Sequence, residues 1–107
     1  MRRVTIGTKV LQLKYNMGAV LAYERNSGRP FLLGDCAMTS VRLEIAFHAL
    51  KHKNPDWEKD TKYEDWVETL TDDQVQAIDE ALLAEMHDFY PALKLSDEQK
   101  EESSPNA

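Results

Sequence analysis

The sequence predicts a mainly α fold: an N-terminal β-hairpin followed by a bundle of about four helices, with a disordered acidic C-terminal tail. Three observations predict it. Apolar residues alternate with polar ones near the N-terminus, the period of a strand, and between Asn16 and Phe89 they recur every three or four positions, the period of a helix. From Ser96 onward the chain reads Ser-Asp-Glu-Gln-Lys-Glu-Glu-Ser-Ser-Pro-Asn-Ala and has nothing to bury. A chain of 107 residues, 42% hydrophobic and 30% charged, suits a single core. The expected organisation is therefore one helical domain at 1–95, its hairpin at 1–15, and a tail at 96–107.

In the hairpin, Val4 and Ile6 alternate with Thr5, Gly7-Thr8 supplies a turn, and Leu11, Leu13 and Tyr15 alternate with Gln12 and Lys14. A lone hairpin is marginal in water, so its apolar face must lie on helices or on another subunit. Asn16 is the expected N-cap of a first helix with Met17, Val20 and Leu21 as its apolar stripe. Gly28 suits the left-handed position that ends it, and Pro30 follows where a helix cannot continue.

Asp35 is the expected cap of a second helix, from about Cys36 to Lys53. One stripe carries Met38, Val41, Ile45 and Ala49, and another carries Leu43, Phe47 and Leu50, as in a central helix packed on several sides. Lys51, His52 and Lys53 meet the negative end of its dipole, and Asn54-Pro55 stops it. Thr61 with Glu64 has the pattern of a capping box ahead of Tyr63, Trp66, Val67 and Leu70. Thr71 with Gln74 repeats that pattern before a helix with Val75, Ile78, Leu82, Met86 and Phe89 on one face and acidic residues opposite. Pro91 interrupts it.

Charge is uneven along the chain. Residues 1–53 hold nine Lys/Arg against three Asp/Glu, whereas residues 54–107 hold four against sixteen. This polarity favours self-association or docking on a basic partner, and it disfavours nucleic acid, which selects a basic face. Cys36 is the only cysteine, so there is no disulfide framework and no thiolate cluster. With no apolar run of signal-peptide or membrane-spanning length, the expected location is the cytoplasm, with no membrane partner.

Each candidate for chemistry has a plainer reading beside it. Glu44, His48 and His52 share a helical face at ligand spacing, but no glutamate follows the first histidine and no further histidine or cysteine has ligand spacing. A solvated helix end is the plainer reading, and no metal is expected. Cys36 with a histidine could pair as nucleophile and base, but no glycine-rich turn offers an oxyanion hole, and a small buried thiol is the plainer reading. Asp56, Glu58, Asp60 and Glu64 fall at calcium-loop positions, but Thr61 replaces the required glycine and Val67 the bidentate glutamate. No catalytic residue, cofactor or enzymatic activity is expected. The weak candidates for partner binding are Trp57, an aromatic in a charged loop, and Tyr90, Leu93 and Leu95, in an apolar stretch before the tail.

The run from Thr5 to Phe31 resembles the start of the small tail assembly chaperones of tailed bacteriophages and prophages. A short hairpin, the Leu13-Lys14-Tyr15-Asn16-Met17 approach to a helix, the central Ala22-Tyr23-Glu24 and the Gly28-Arg29-Pro30-Phe31 exit carry the resemblance. Further on, Asn54-Pro55-Asp56 and Tyr63-Glu64-Asp65-Trp66 are similar to that family's layout. The resemblance implies a chaperone that holds the tape-measure protein soluble and meets tail-tube protein in the host cytoplasm, with no catalytic residues. Self-association through the hairpin edge is a further expectation. Two rivals differ in class: a small acidic bacterial adaptor or regulator, such as a DNA-charge mimic, binding a basic host protein, and a metal-dependent hydrolase using Glu44, His48 and His52.

Overall fold

The computed structural model describes residues 2–90. The expected tail at 96–107 lies outside them, as do Leu93 and Leu95. An N-terminal hairpin precedes four α-helices, as the periodicity predicts.

Strands β1 (Arg2–Ile6) and β2 (Lys9–Leu13) pair antiparallel, with Arg2 opposite Leu13 and Ile6 opposite Lys9. Gly7 takes φ 65° in the two-residue turn, a conformation that costs a residue without Cβ little. Val4, Leu11 and Leu13 are buried, and so is Tyr15 just beyond. The hairpin is held because this face packs on α4 and α2.

Helix α1 (Met17–Ser27) starts where Asn16 accepts a hydrogen bond from the Ala19 N–H. It stops at Gly28, φ 71°, whose N–H donates to the Glu24 carbonyl. Its rotation differs from the expected stripe. Ala19, Val20 and Tyr23 are buried, while Met17 and Leu21 face solvent. The large Tyr23 ring, edge-on against Phe31 at 5.9 Å, decides which side turns inward.

The second expected boundary also moves. Asp35 caps no α-helix; it lies inside a 3-10 turn, Leu33–Ala37, and its carbonyl accepts from the Met38 N–H. Helix α2 runs Thr39–Lys53, three residues shorter than the expected 36–53. The reason is Arg42, whose guanidinium takes the carbonyls of Cys36 and Ala37 and the Thr39 hydroxyl. Those carbonyls are thereby satisfied without a continuous helix. As expected, α2 is central: every residue from Ile45 to Leu50 is buried, with Val41 and Leu43.

Helix α3 (Tyr63–Val67) is a single turn with Lys62 at its cap and no side-chain capping bond, so the Thr61–Glu64 box does not form. Aromatic packing sets this segment instead. The Trp57 and Trp66 rings lie 5.9 and 5.0 Å from Phe47, and the Tyr63 hydroxyl donates to the Ser40 carbonyl. Helix α4 (Asp72–Phe89) does begin with the expected box, Thr71 and Gln74 bonding reciprocally. Ile78, Leu82 and Met86 enter the core, each contributing on the order of 1.5–3 kcal/mol by burial.

Candidate functional site

Of the expected partner-binding residues, the structure places two. Trp57 is 6% exposed and sits edge-on to Trp66, so it is a core residue. Its burial follows from Phe47 on α2, an aromatic neighbour that local sequence around position 57 does not reveal. Tyr90 is half-buried, its hydroxyl 2.7 Å from that of Tyr15 and its ring against Tyr15 and Phe89. It docks on the chain's own hairpin side. Burial, and then the Tyr90 hydrogen bond, raise the Tyr15 phenol above its ordinary value.

Glu44, His48 and His52 do line one open cleft of about 860 Å³, between α1, α2 and the start of α3. Gly18 forms part of its wall, and a Cβ there would meet His52 Cε1 at 3.3 Å, so a glycine lets the imidazole lie close to α1. The three residues nevertheless have separate surroundings. Glu44 meets Arg29 at 3.3 Å, and burial raises its carboxyl above the usual range. His48 is 8% exposed, stacks edge-on to Phe47, and its Nε2 is sealed from solvent without a hydrogen-bond partner among the described residues. Burial, then repulsion from Lys51, lowers its pKa below the ordinary 6.5, so it is a neutral imidazole at neutral pH. His52 is exposed. Among the described residues no group of three or more His, Cys, Asp or Glu is placed to hold a metal ion. Cys36 is half-buried in the 3-10 turn, and burial raises its thiol, the opposite of what a nucleophile needs.

Several large apolar side chains are exposed in one stretch of the sequence. Met17 and Leu21 stand one turn apart on α1, and Glu24 follows on the same face. Its carboxylate accepts the Phe31 N–H at 2.7 Å, which brings the chain back toward that face. Leu32, Leu33 and Met38 follow, all exposed; with Met17 and Leu21 they make five of the eight exposed large hydrophobics among the described residues, all between positions 17 and 38. Leucine and methionine left in water on one helix and its exit segment are what a partner's apolar surface would cover.

Sequence reasoning passed over two charged residues that tie elements together. Arg42 holds Asp79 of α4 through two bonds of 3.0 and 3.1 Å while clasping the 3-10 turn, so the Leu32–Met38 segment is pinned to both long helices. Its only sequence signal was a charge amid an apolar stretch. Glu85 reads as part of α4's acidic face but is 3% exposed, its carboxylate receiving the Tyr15 N–H and facing Arg2 at 3.6 Å.

No family model, curated protein or solved structure matches the chain. Among the described residues, no helix is long and apolar enough to cross a membrane.

Proposed function

We propose that the chain is a protein-binding chaperone of the phage or prophage tail assembly type, which covers apolar segments of a tape-measure protein and meets tail-tube protein reversibly. The observation that carries this reading is the exposure of Met17, Leu21, Leu32, Leu33 and Met38, close in sequence on α1 and the segment that leaves it. Met17 and Leu21 fall within the Thr5–Phe31 stretch that resembles that family, and Leu32, Leu33 and Met38 follow it. Methionine and leucine adapt to varied apolar partners, as a transient holder of a long chain requires, and a net charge of −6 keeps the complex dissolved. Binding needs no catalytic constellation, and none is assigned.

Co-expression with the tape-measure protein from the neighbouring gene is the test. The reading predicts that the tape-measure protein shifts to the soluble fraction and co-purifies with this chain. An unchanged soluble fraction refutes it. Capture of a basic host protein instead, lost when the carboxylates of α4 are neutralised, would favour the acidic-adaptor reading.

A further inference from the structure

The two edges of the hairpin are treated differently. On β2, the Asn54 amide acts as a substitute strand: its Oδ1 accepts the Gln12 N–H at 3.3 Å and its Nδ2 donates to the Gln12 carbonyl at 2.7 Å. Gln12 therefore points its backbone groups away from β1. In an antiparallel ladder its partner Arg3 must point away from β2, and so must Thr5, two residues on. Among the described residues, no hydrogen bond is made by the outward N–H and C=O groups of Arg3 and Thr5. Among the described residues, one edge is closed and the other is open.

Beside the open edge runs a groove of about 620 Å³, walled by Arg2 to Thr5 on one side and by Ala77, Glu80, Ala81 and Ala84 of α4 on the other. An unpaired edge next to a small-residue flank fits one occupant best. The geometry points to a second copy of this chain, joined β1 to β1 about a two-fold axis through Val4. That axis pairs Arg3 with Thr5 of the other copy and completes four main-chain hydrogen bonds, making one four-stranded antiparallel sheet. A foreign strand added here would need its own cover beneath it. A second copy brings its own α4, and the three alanines let the two helices approach to about 8–10 Å.

Charge supports the same pairing. Arg2 is bonded to Asp88 at 3.0 Å while the groove along Arg2 to Thr5 is walled by Ala77 to Ala84, so α4 runs antiparallel to β1, and Glu80, about 12 Å back along the helix, falls near the level of Thr5. The two-fold sets Thr5 of one copy opposite Arg3 of the other, which brings Glu80 to the Arg2–Arg3 end of its neighbour. Because Asn54 closes the far edges, the sheet stops at four strands and the assembly at a dimer.

Light scattering of the full chain across a wide concentration range tests this, with two variants. Thr5→Pro removes an outward N–H that the hairpin does not use, and Ala77→Arg fills the flank from an exposed position on α4. The wild type should be a dimer, each variant should raise the dissociation constant at least tenfold with unchanged circular dichroism, and the Thr5 amide of the wild type should exchange more slowly as concentration rises. A wild type that is monomeric throughout overturns the proposal. So does a dimer that survives both substitutions, or a Thr5 amide whose exchange ignores concentration.

Discussion

Replacing His48 by leucine should make the protein more stable, although the residue is buried in the central helix. Among the described residues its Nε2 has no partner, it is sealed from solvent, and an unsatisfied buried polar group costs on the order of 1–3 kcal/mol. Leucine has a comparable volume and no polar atom, and what it forfeits is the edge contact with Phe47 at 5.5 Å, worth about 0.5–1.5 kcal/mol. The expected balance is a gain of about 1 kcal/mol, or roughly 4–8 °C in Tm for a domain of this size. Acid should widen the gap. The folded pKa of His48 lies below the unfolded value of 6.5, so the unfolded chain takes up the proton first. Stability linked to this group is therefore complete above 6.5 and declines as pH falls through 6.5 toward the folded pKa. Urea unfolding of wild type and His48→Leu at about pH 7.5 and about pH 5.5 measures both effects. A leucine variant less stable than wild type at the higher pH, or two proteins with parallel pH dependence, would refute the reasoning.

Other substitutions probe the elements that position the exposed segment. Arg42→Lys keeps the charge but loses the forked contact with Asp79 and the clasp on Cys36 and Ala37; a cost of about 2 kcal/mol is expected in urea unfolding, with faster amide exchange across residues 33–38. Thr71→Ala should cost about 1 kcal/mol because it removes a formed capping box, whereas Thr61→Ala should change stability by less than about 0.5 kcal/mol. Equal effects of the two threonine substitutions would contradict the assigned helix starts.

Much of the fold was legible in the residues because local rules governed it. Asn16, Gly28, Gly7 and the Thr71–Gln74 pair act on their own neighbours within a few positions, and each does in the structure what its type suggests. Burial on both sides of α2 was equally readable, since Ile45 to Leu50 holds residues that no single stripe contains. Misreadings came where distant groups overrode local pattern. Thr61 lost its box to the aromatic packing of Trp57, Tyr63 and Trp66 on Phe47, and Asp35 lost its cap to Arg42, which reaches back from inside α2. The site was less legible than the fold. Trp57, a candidate for the surface, is core, while Met17 and Leu21, candidates for the core, are surface. Period alone places both faces of α1 equally well; Tyr23 against Phe31 settles its rotation, and that contact crosses a turn.

The most direct test of the binding account is the affinity of the purified chain for an apolar tape-measure segment, wild type against a Leu21→Glu, Leu32→Glu double variant. Both positions are more than half exposed, so the variant should fold with unchanged circular dichroism and melting. The account predicts at least a tenfold weaker Kd for it. A folded variant that binds the segment as tightly as the wild type would contradict the account.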